Sequence, residues 1–193
     1  MRIRRLWLTL CLAALSASAA SPGFRAAVAK VDITPDTPQW MLGYQARQST
    51  GVHDHIHHRV VALDDGKTQI YIVSSEFAVF APSFFDEFAR ELKVRTMIDP
   101  RQVWWTVTHT HSAPELGPGG IGRLFLGERY KHDYDHAYAK MVKDKLIVAI
   151  RQAREKLFPA RLFIGAGRAE ANINRRERKP NGKIVLGKNP DGP

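Results

Sequence analysis

Two histidines one residue apart close an apolar, β-rich run at residues 103–108. His109 and His111 are followed at once by Ser112 and then by Glu115. Because side chains alternate along a strand, the two imidazoles are expected on one side, with Cα atoms about 6 to 7 Å apart. Two neutral imidazoles at that spacing can share one ion such as zinc. Two exposed or hydrogen-bonded histidines would fit the same pattern, because a catalytic zinc ordinarily takes three protein ligands.

The elements that must position these side chains are predicted to run strand, helix, strand. A strand over residues 68–75 ends in Glu76, and the capping-box pattern from Ser83 to Asp86 marks the start of a helix that precedes the strand of His109. A helical crossover makes the two strands parallel, so Glu76 and His109 should share the C-terminal sheet edge. Ligands usually bind at that edge of α/β sheets, which makes Glu76 a candidate catalytic carboxylate.

Hydrophobic periodicity predicts the other elements. Strands are expected at residues 28–33, 59–63 and 161–166, with a hairpin turn at residues 64–67 and a long helix over residues 133–157. The fold class is therefore α/β, with a mixed, partly parallel sheet flanked by helices. The apolar face of the first helix is predicted to consist of Phe85, Phe88, Ala89 and Leu92.

Residues 1–20 have the composition of a secretory signal peptide. Three arginines near the start precede an apolar run at residues 6–15 and small residues at 17–20. An uncleaved anchor is the alternative, although the apolar run is short for a bilayer. We expect secretion or periplasmic export, leaving residues 21–193 as one domain. The single cysteine, Cys11, would leave with the signal, so the exported chain would have neither a disulfide nor a thiol nucleophile.

The chain is basic, with a formal net charge of +10. Loss of the signal removes three arginines and leaves +7, of which residues 168–193 carry +4. This terminal stretch lacks interleaved aromatic residues and any nucleic-acid-binding motif, which argues against a nucleic acid partner. Attraction to anionic lipid headgroups, giving contact with a membrane surface, and a merely solvated face are the two remaining interpretations.

Three segments resemble, in order, the neutral/alkaline, non-lysosomal ceramidase family. The first is Val-Asp-Ile-Thr-Pro at residues 31–35 with Gly43 and Tyr44, and the second is Gly-Val-His-Asp at residues 51–54 followed by residues 59–66. The third, Thr-His-Thr-His-Ser-Ala-Pro at residues 108–114, resembles the family motif Thr-His-Thr-His-Ser-(Gly/Ala)-Pro. The resemblance extends from about residue 28 to the end of the chain.

The resemblance implies zinc-dependent hydrolysis of the amide bond of ceramide, an N-acylsphingosine, to sphingosine and a fatty acid. It implies that His109 is a zinc ligand and His111 its catalytic neighbour, with Ser112 orienting the motif. Asn174 and Arg175 resemble a family segment near the substrate entrance, and a solvated basic loop is the alternative for them. Relatives commonly carry an aspartate at the position of the candidate carboxylate on the preceding strand.

The family's other zinc ligands and its serine nucleophile lie beyond the matched region. We therefore expect the chain to be the N-terminal portion of a larger zinc-hydrolase domain, a ceramidase-like amidohydrolase that is inactive in this truncated form. Two alternatives stay open. One is an exported zinc hydrolase of the same fold acting on another amide or ester, and the other is a non-catalytic fragment that binds lipids or surfaces.

A second group of histidines lies at residues 53–58. The resemblance supports only His53 and Asp54 as family positions. We expect His55, His57 and His58 to form a polar start to the next strand, and a metal site is the alternative.

Overall fold

The computed structural model describes residues 23–43, 47–117, 132–170 and 173–187. The chain divides into two compact units, Met1–Arg161 and Leu162–Pro193. The predicted signal peptide lies outside the described residues. The elements of the first unit are β1 (Arg25–Asp32), β2 (Trp40–Met41), β3 (Arg47–Gln48), β4 (His57–Asp64), β5 (Gln69–Ser75), α1 (Pro82–Thr96), β6 (Val103–Val107), α2 (His136–Glu155) and β7 (Phe158–Pro159).

Five strands form a mixed sheet in the order β6, β5, β4, β1, β7. Strands β5 and β6 are parallel, and the remaining neighbours are antiparallel. The parallel pair joined through α1 confirms the predicted strand, helix, strand unit. The predicted hairpin turn also forms, because Asp64 Oδ1 accepts a hydrogen bond from Gly66 N at 2.6 Å and Gly66 supplies the positive φ of 85°.

The start of α1 differs from the prediction. The helix begins at Pro82 with Ala81 as N-cap, and no side chain caps it. Proline fits this first position because its φ is already helical and its missing N–H would have no helical partner there. The proposed capping box from Ser83 was therefore wrong. Phe88 and Leu92 of the predicted apolar face are buried, and Phe84 and Thr96 complete the buried face, whereas Phe85 and Ala89 are only half-buried.

Helix α2 is slightly shorter than predicted. Its N-cap is Asp135, whose carboxylate accepts a hydrogen bond from Tyr138 N at 2.9 Å. The Tyr138 hydroxyl then donates to Ile33 O at 2.9 Å, which ties the helix to the end of β1. Within the described residues, no helix is long and apolar enough to cross a membrane.

Both helices pack on the same face of the sheet, where they form one apolar core with the inward side chains of β1, β4, β5 and β6. The opposite face carries exposed apolar residues. Val28 and Trp104 are 71% and 70% exposed, and the strand register places them in one row with Val61 and Ile72. The two helices that the structure describes thus flank the sheet on the same side.

One polar network crosses the core. Trp105 Nε1 donates to Ser75 Oγ at 2.7 Å, and the Ser75 hydroxyl reaches His58 Nδ1 at 2.6 Å. His58 Nε2 lies 3.1 Å from Val142 O, and a carbonyl can only accept, so Nε2 carries the proton and Nδ1 accepts. Burial lowers the pKa of His58 to about 4, so the imidazole is neutral near pH 7. His58 is therefore a core residue.

The strand predicted at residues 161–166 does not form. The sheet is instead extended by the two residues of β7, which pair with Arg25 and Ala26 of β1. The ladder with β1 covers only Phe158 and Pro159, and the described residues after Pro159 pair with no strand of this sheet. Leu162, Phe163 and Ile164 are accordingly 60%, 84% and 90% exposed.

The second unit contains a hairpin that was not predicted. Its strands are β8 (Arg176–Arg178) and β9 (Ile184–Leu186). The turn is closed by a hydrogen bond from Gly182 N to Lys179 O at 2.8 Å, with Gly182 at a φ of 79°. Pro180, Asn181 and Gly182 are typical turn residues in these places, so the signal was present in the sequence.

Candidate functional site

His109 lies just beyond the C-terminal end of β6. The parallel ladder continues to Thr108, whose N–H donates to Ser75 O at 3.0 Å, and His109 then adopts a left-handed backbone with φ of 60°. This turn brings the ring to Ala78, where Nδ1 lies 2.8 Å from the carbonyl oxygen. Because a carbonyl only accepts, Nδ1 carries the proton, and Nε2 keeps the lone pair that a metal ion binds.

His111 is brought to His109 by this turn rather than by strand alternation. The strand ends at Val107, two residues before the first histidine, so the alternation that was expected to put both imidazoles on one side does not extend to them. The two rings nevertheless meet edge to face, with centroids 4.9 Å apart. They are close enough to act on one bound group.

Gly43, which follows β2, packs closely against the imidazole of His111. A Cβ added to Gly43 would lie 1.7 Å from His111 Nδ1, so only glycine fits, and Gly43 also has a φ of +124°. Arg47 bridges the two segments, donating from Nη1 to Gly43 O at 3.0 Å and from Nη2 to His111 O at 2.9 Å. The Gly43 position is therefore shaped to the imidazole of His111.

Glu76 follows β5 directly, as predicted, and its carboxylate is bound by β4. Oε2 accepts hydrogen bonds from His57 N at 2.8 Å and from Arg59 Nη1 at 2.9 Å. Burial acts to raise the pKa of Glu76, but the bonds from Arg59 and His57 outweigh it and hold the pKa below its usual value. Glu76 is thus an anion at neutral pH. Its catalytic role stays a prediction.

A cavity of about 750 Å³ opens beside the motif. Thr110, Ser112 and Glu76 line it, together with the connection between β1 and β2, strand β3 and the segment that follows β3. His109 and His111 are not part of its wall as far as the described residues define it. The cavity therefore lies next to the two imidazoles and offers room for the polar end of a substrate.

The segment that leaves the motif is anchored by a buried pair. Glu115 Oε1 lies 2.8 Å from His132 Nε2, and Trp40 stacks on the His132 ring with centroids 3.9 Å apart. The Glu115 N–H donates to Trp40 O at 2.9 Å. Burial, with a smaller contribution from the charge of Asp133, raises the pKa of Glu115 to about 7. Sequence reasoning noted Glu115 but missed His132, which no motif marks.

The Asp32 to Thr34 segment has a structural role. Asp32 Oδ1 accepts from Thr34 N at 2.8 Å, and Thr34 Oγ1 accepts from Ile56 N at 2.9 Å. His55 Nδ1 lies 2.6 Å from Asp32 Oδ2, and the hydrogen bonds from Thr34 hold the pKa of Asp32 well below its usual range. The first family-like segment therefore fixes the loop that carries His55.

The remaining histidines of this loop pair with carboxylates. His53 Nδ1 lies 2.8 Å from Asp54 Oδ2, and His57 Nδ1 lies 3.4 Å from Glu76 Oε2. The described residues contain no group of three or more His, Cys, Asp or Glu side chains that could hold a metal ion. His109 therefore suits one ligand position by its tautomer, while the described residues do not complete a ligand set.

Asn174 and Arg175, the predicted substrate contacts, lie in the second unit. Asn174 Oδ1 accepts a hydrogen bond from Arg176 N at 3.0 Å, and Arg175 Nε donates to Gly187 O at 3.1 Å. Both residues thus brace the base of the hairpin. Their contact with a substrate stays a prediction.

Residues 24–179 match the family described as neutral/alkaline non-lysosomal ceramidase, N-terminal. Among solved structures, the chain is similar to neutral ceramidase from Pseudomonas aeruginosa, with a TM-score of 0.59 and 20% identity over 71% of this chain. It is also similar to a structure described as ceramidase complexed with C2, with a TM-score of 0.58 and 21% identity over 71% of this chain. The match spans 22% of each of those two chains.

Proposed function

The chain belongs to the neutral/alkaline non-lysosomal ceramidase family, and on that basis we propose that it contributes His109 to a zinc site that hydrolyses the amide bond of ceramide. The products would be sphingosine and a fatty acid. The single observation that supports this role for His109 is the hydrogen bond of 2.8 Å between its Nδ1 and Ala78 O. That bond leaves Nε2 unprotonated and orients it, as in histidines that ligate zinc.

An amide carbonyl is a poor electrophile. When bound, zinc would polarise it or lower the pKa of a water molecule toward neutrality. His109 would hold the ion through Nε2, and His111, whose ring centroid lies 4.9 Å from that of His109, would donate a hydrogen bond to the reacting oxygen. The ring of His111 is fixed from behind by the backbone at Gly43, which limits its motion toward and away from that oxygen.

Glu76 would serve as a fixed anion in the cavity wall. Because its pKa is depressed by Arg59, it is a weak proton acceptor and suits the orientation of polar substrate groups better than proton abstraction. Thr110 and Ser112 line the same cavity, and their hydroxyls would hydrogen-bond the polar end of the lipid. Contact with a membrane surface belongs to the proposal, because ceramide is a bilayer lipid.

The test is to measure zinc and ceramide turnover on the protein that contains these residues. We expect stoichiometric zinc and release of sphingosine. For the 193-residue chain alone, we expect weak zinc binding and negligible turnover, because its described residues offer no group of three ligands. Hydrolysis of other amides or esters, with ceramide untouched, would instead favour a zinc hydrolase of the same fold with a different substrate.

Export is part of the proposal. The basic start, apolar run and small residues of positions 1–20 indicate a cleaved signal, so the exported protein should begin near Ala20 or Ser21. N-terminal sequencing of exported material tests this. A chain that retains Met1 would contradict it.

A further inference from the structure

The β8–β9 hairpin presents one face on which cationic and apolar side chains are paired across the strands. Arg176 is opposite Leu186, and Arg178 is opposite Ile184. Directly paired residues of an antiparallel ladder share a face, so these four side chains lie together. All four are exposed, and Ile184 and Leu186 are 58% and 79% exposed. We call this set the hairpin face.

The one acidic residue of the hairpin strands, Glu177, lies on the opposite face. Glu177 is paired with Val185, so it points away from the hairpin face. Lys179 Nζ lies 2.8 Å from Glu177 Oε1. Within the part of the chain that the structure describes, Arg176 and Arg178 form no ion pair. The two guanidinium groups are therefore available to an anion outside the chain.

The surroundings add positive charge. Residues 175–187 contain five Lys or Arg and one Glu, a net charge of +4. A face with two guanidinium groups beside two aliphatic side chains matches a bilayer interface, where phosphates lie at the level of the cations and acyl chains lie just below. A nucleic acid would use the cations but has no use for exposed Ile184 and Leu186, and the hairpin carries no aromatic residue for base stacking.

We propose that the hairpin face docks the protein on an anionic lipid bilayer, with Arg176 and Arg178 binding lipid phosphates and Ile184 and Leu186 entering the interface. The inference deepens the proposed function, because it names the surface on which a ceramide hydrolase would meet its substrate. It can be tested without ceramide and without metal.

The experiment is vesicle co-sedimentation of the chain from Ser21 onward, which retains every described residue. Vesicles of phosphatidylcholine with phosphatidylglycerol are compared with vesicles of phosphatidylcholine alone. We expect binding to the anionic vesicles that weakens as salt rises. Arg176→Gln with Arg178→Gln should weaken it roughly 30-fold, from about 1 kcal/mol for each cation near an anionic surface.

The matched control is Arg90→Gln with Lys93→Gln on α1, which removes the same charge from two other exposed side chains. It should leave binding within about twofold. Ile184→Ser with Leu186→Ser should weaken binding about tenfold while retaining the net charge. Circular dichroism of each variant checks that the fold is retained.

Equal losses in the two charge variants would overturn the proposal, because net charge alone would then explain binding. Unchanged binding in the Ile184 and Leu186 variant would overturn it too. So would tighter binding to a fluorescent single-stranded oligonucleotide than to the vesicles. Failure of the proposed hydrolysis would be seen separately, as absence of turnover on ceramide dispersed in detergent by the zinc-loaded protein that contains this chain, with binding to anionic vesicles retained.

Discussion

Glu115 Oε1 and His132 Nε2 lie 2.8 Å apart, in side chains that are only 3% and 9% exposed. The pair joins the end of the histidine motif to the segment before α2, and Trp40 covers the imidazole. Since burial raises the pKa of Glu115 from 4.5 to about 7, the fold favours its protonated form. That contribution to stability is complete below about pH 4.5 and is lost as the pH rises through about 7.

We therefore expect the free energy of unfolding of the wild type to fall between pH 5 and pH 8 relative to that of Glu115→Gln, which cannot ionise there. The difference should be at most about 3 kcal/mol. Urea unfolding of both proteins at the two pH values measures it. His132→Asn is the partner control, and its pH dependence should persist because the buried carboxyl remains. If the free energy of unfolding of His132→Asn did not depend on pH between pH 5 and pH 8, the imidazole would be the titrating group.

The core network predicts a difference between two adjacent serines. Ser75→Ala should lower the free energy of unfolding by about 1 to 3 kcal/mol, because Trp105 Nε1 and His58 Nδ1 would lose their buried partner. Ser74→Ala, on the other face of β5, should change it by less than about 0.5 kcal/mol. Thermal or urea unfolding compares the two. Equal effects would mean that the network adds no stability.

The contact between Gly43 and His111 predicts a loss of turnover from a small substitution. In Gly43→Ala the new Cβ would lie 1.7 Å from Nδ1, so His111 must move. A displacement of about 1 Å at a reacting group can reduce turnover roughly 100-fold, and we expect that loss with zinc content retained. The assay is sphingosine release by the protein that contains this chain.

Gly165→Ala is the matched control, because no atom lies within 4 Å of its added Cβ and Gly165 is not part of the cavity wall. It should turn over ceramide at the wild-type rate. A Gly43→Ala protein with full activity would show that the position of His111 does not matter to the reaction.

The proximity of Glu76 and His109 could be predicted because it follows from the order of the secondary-structure elements between them. The strand, helix, strand sequence between Glu76 and His109 dictated a parallel pair, and both residues do follow neighbouring strand ends. The partners of Glu76 were not predictable in this way. They come from β4, whose antiparallel register places Arg59 opposite Ser74, and register is set by the packed sheet rather than by a motif.

Long-range contacts account for the other omissions. His132 meets Glu115 across 17 positions of sequence, and neither residue type nor spacing marks the pair. The left-handed turn at His109 was also not predicted, because strand alternation alone accounts for two imidazoles on one side at this spacing. The turn of the β8–β9 hairpin, by contrast, is indicated in the sequence by Pro180 and Gly182. The segment was interpreted from its basic composition instead, so the hairpin was not predicted.

The most direct test of the central claim, that His109 is a zinc ligand in a ceramide hydrolase, is the zinc content of His109→Ala in the protein that contains this chain. Zinc is measured by elemental analysis alongside ceramide turnover. His136→Ala is the matched control, since it removes an exposed imidazole that is paired with Asp133 and is not part of the cavity wall.

We expect His109→Ala to lose both zinc and turnover, His111→Ala to lose turnover while retaining most of its zinc, and His136→Ala to retain both. A His109→Ala protein that keeps stoichiometric zinc would contradict the assignment.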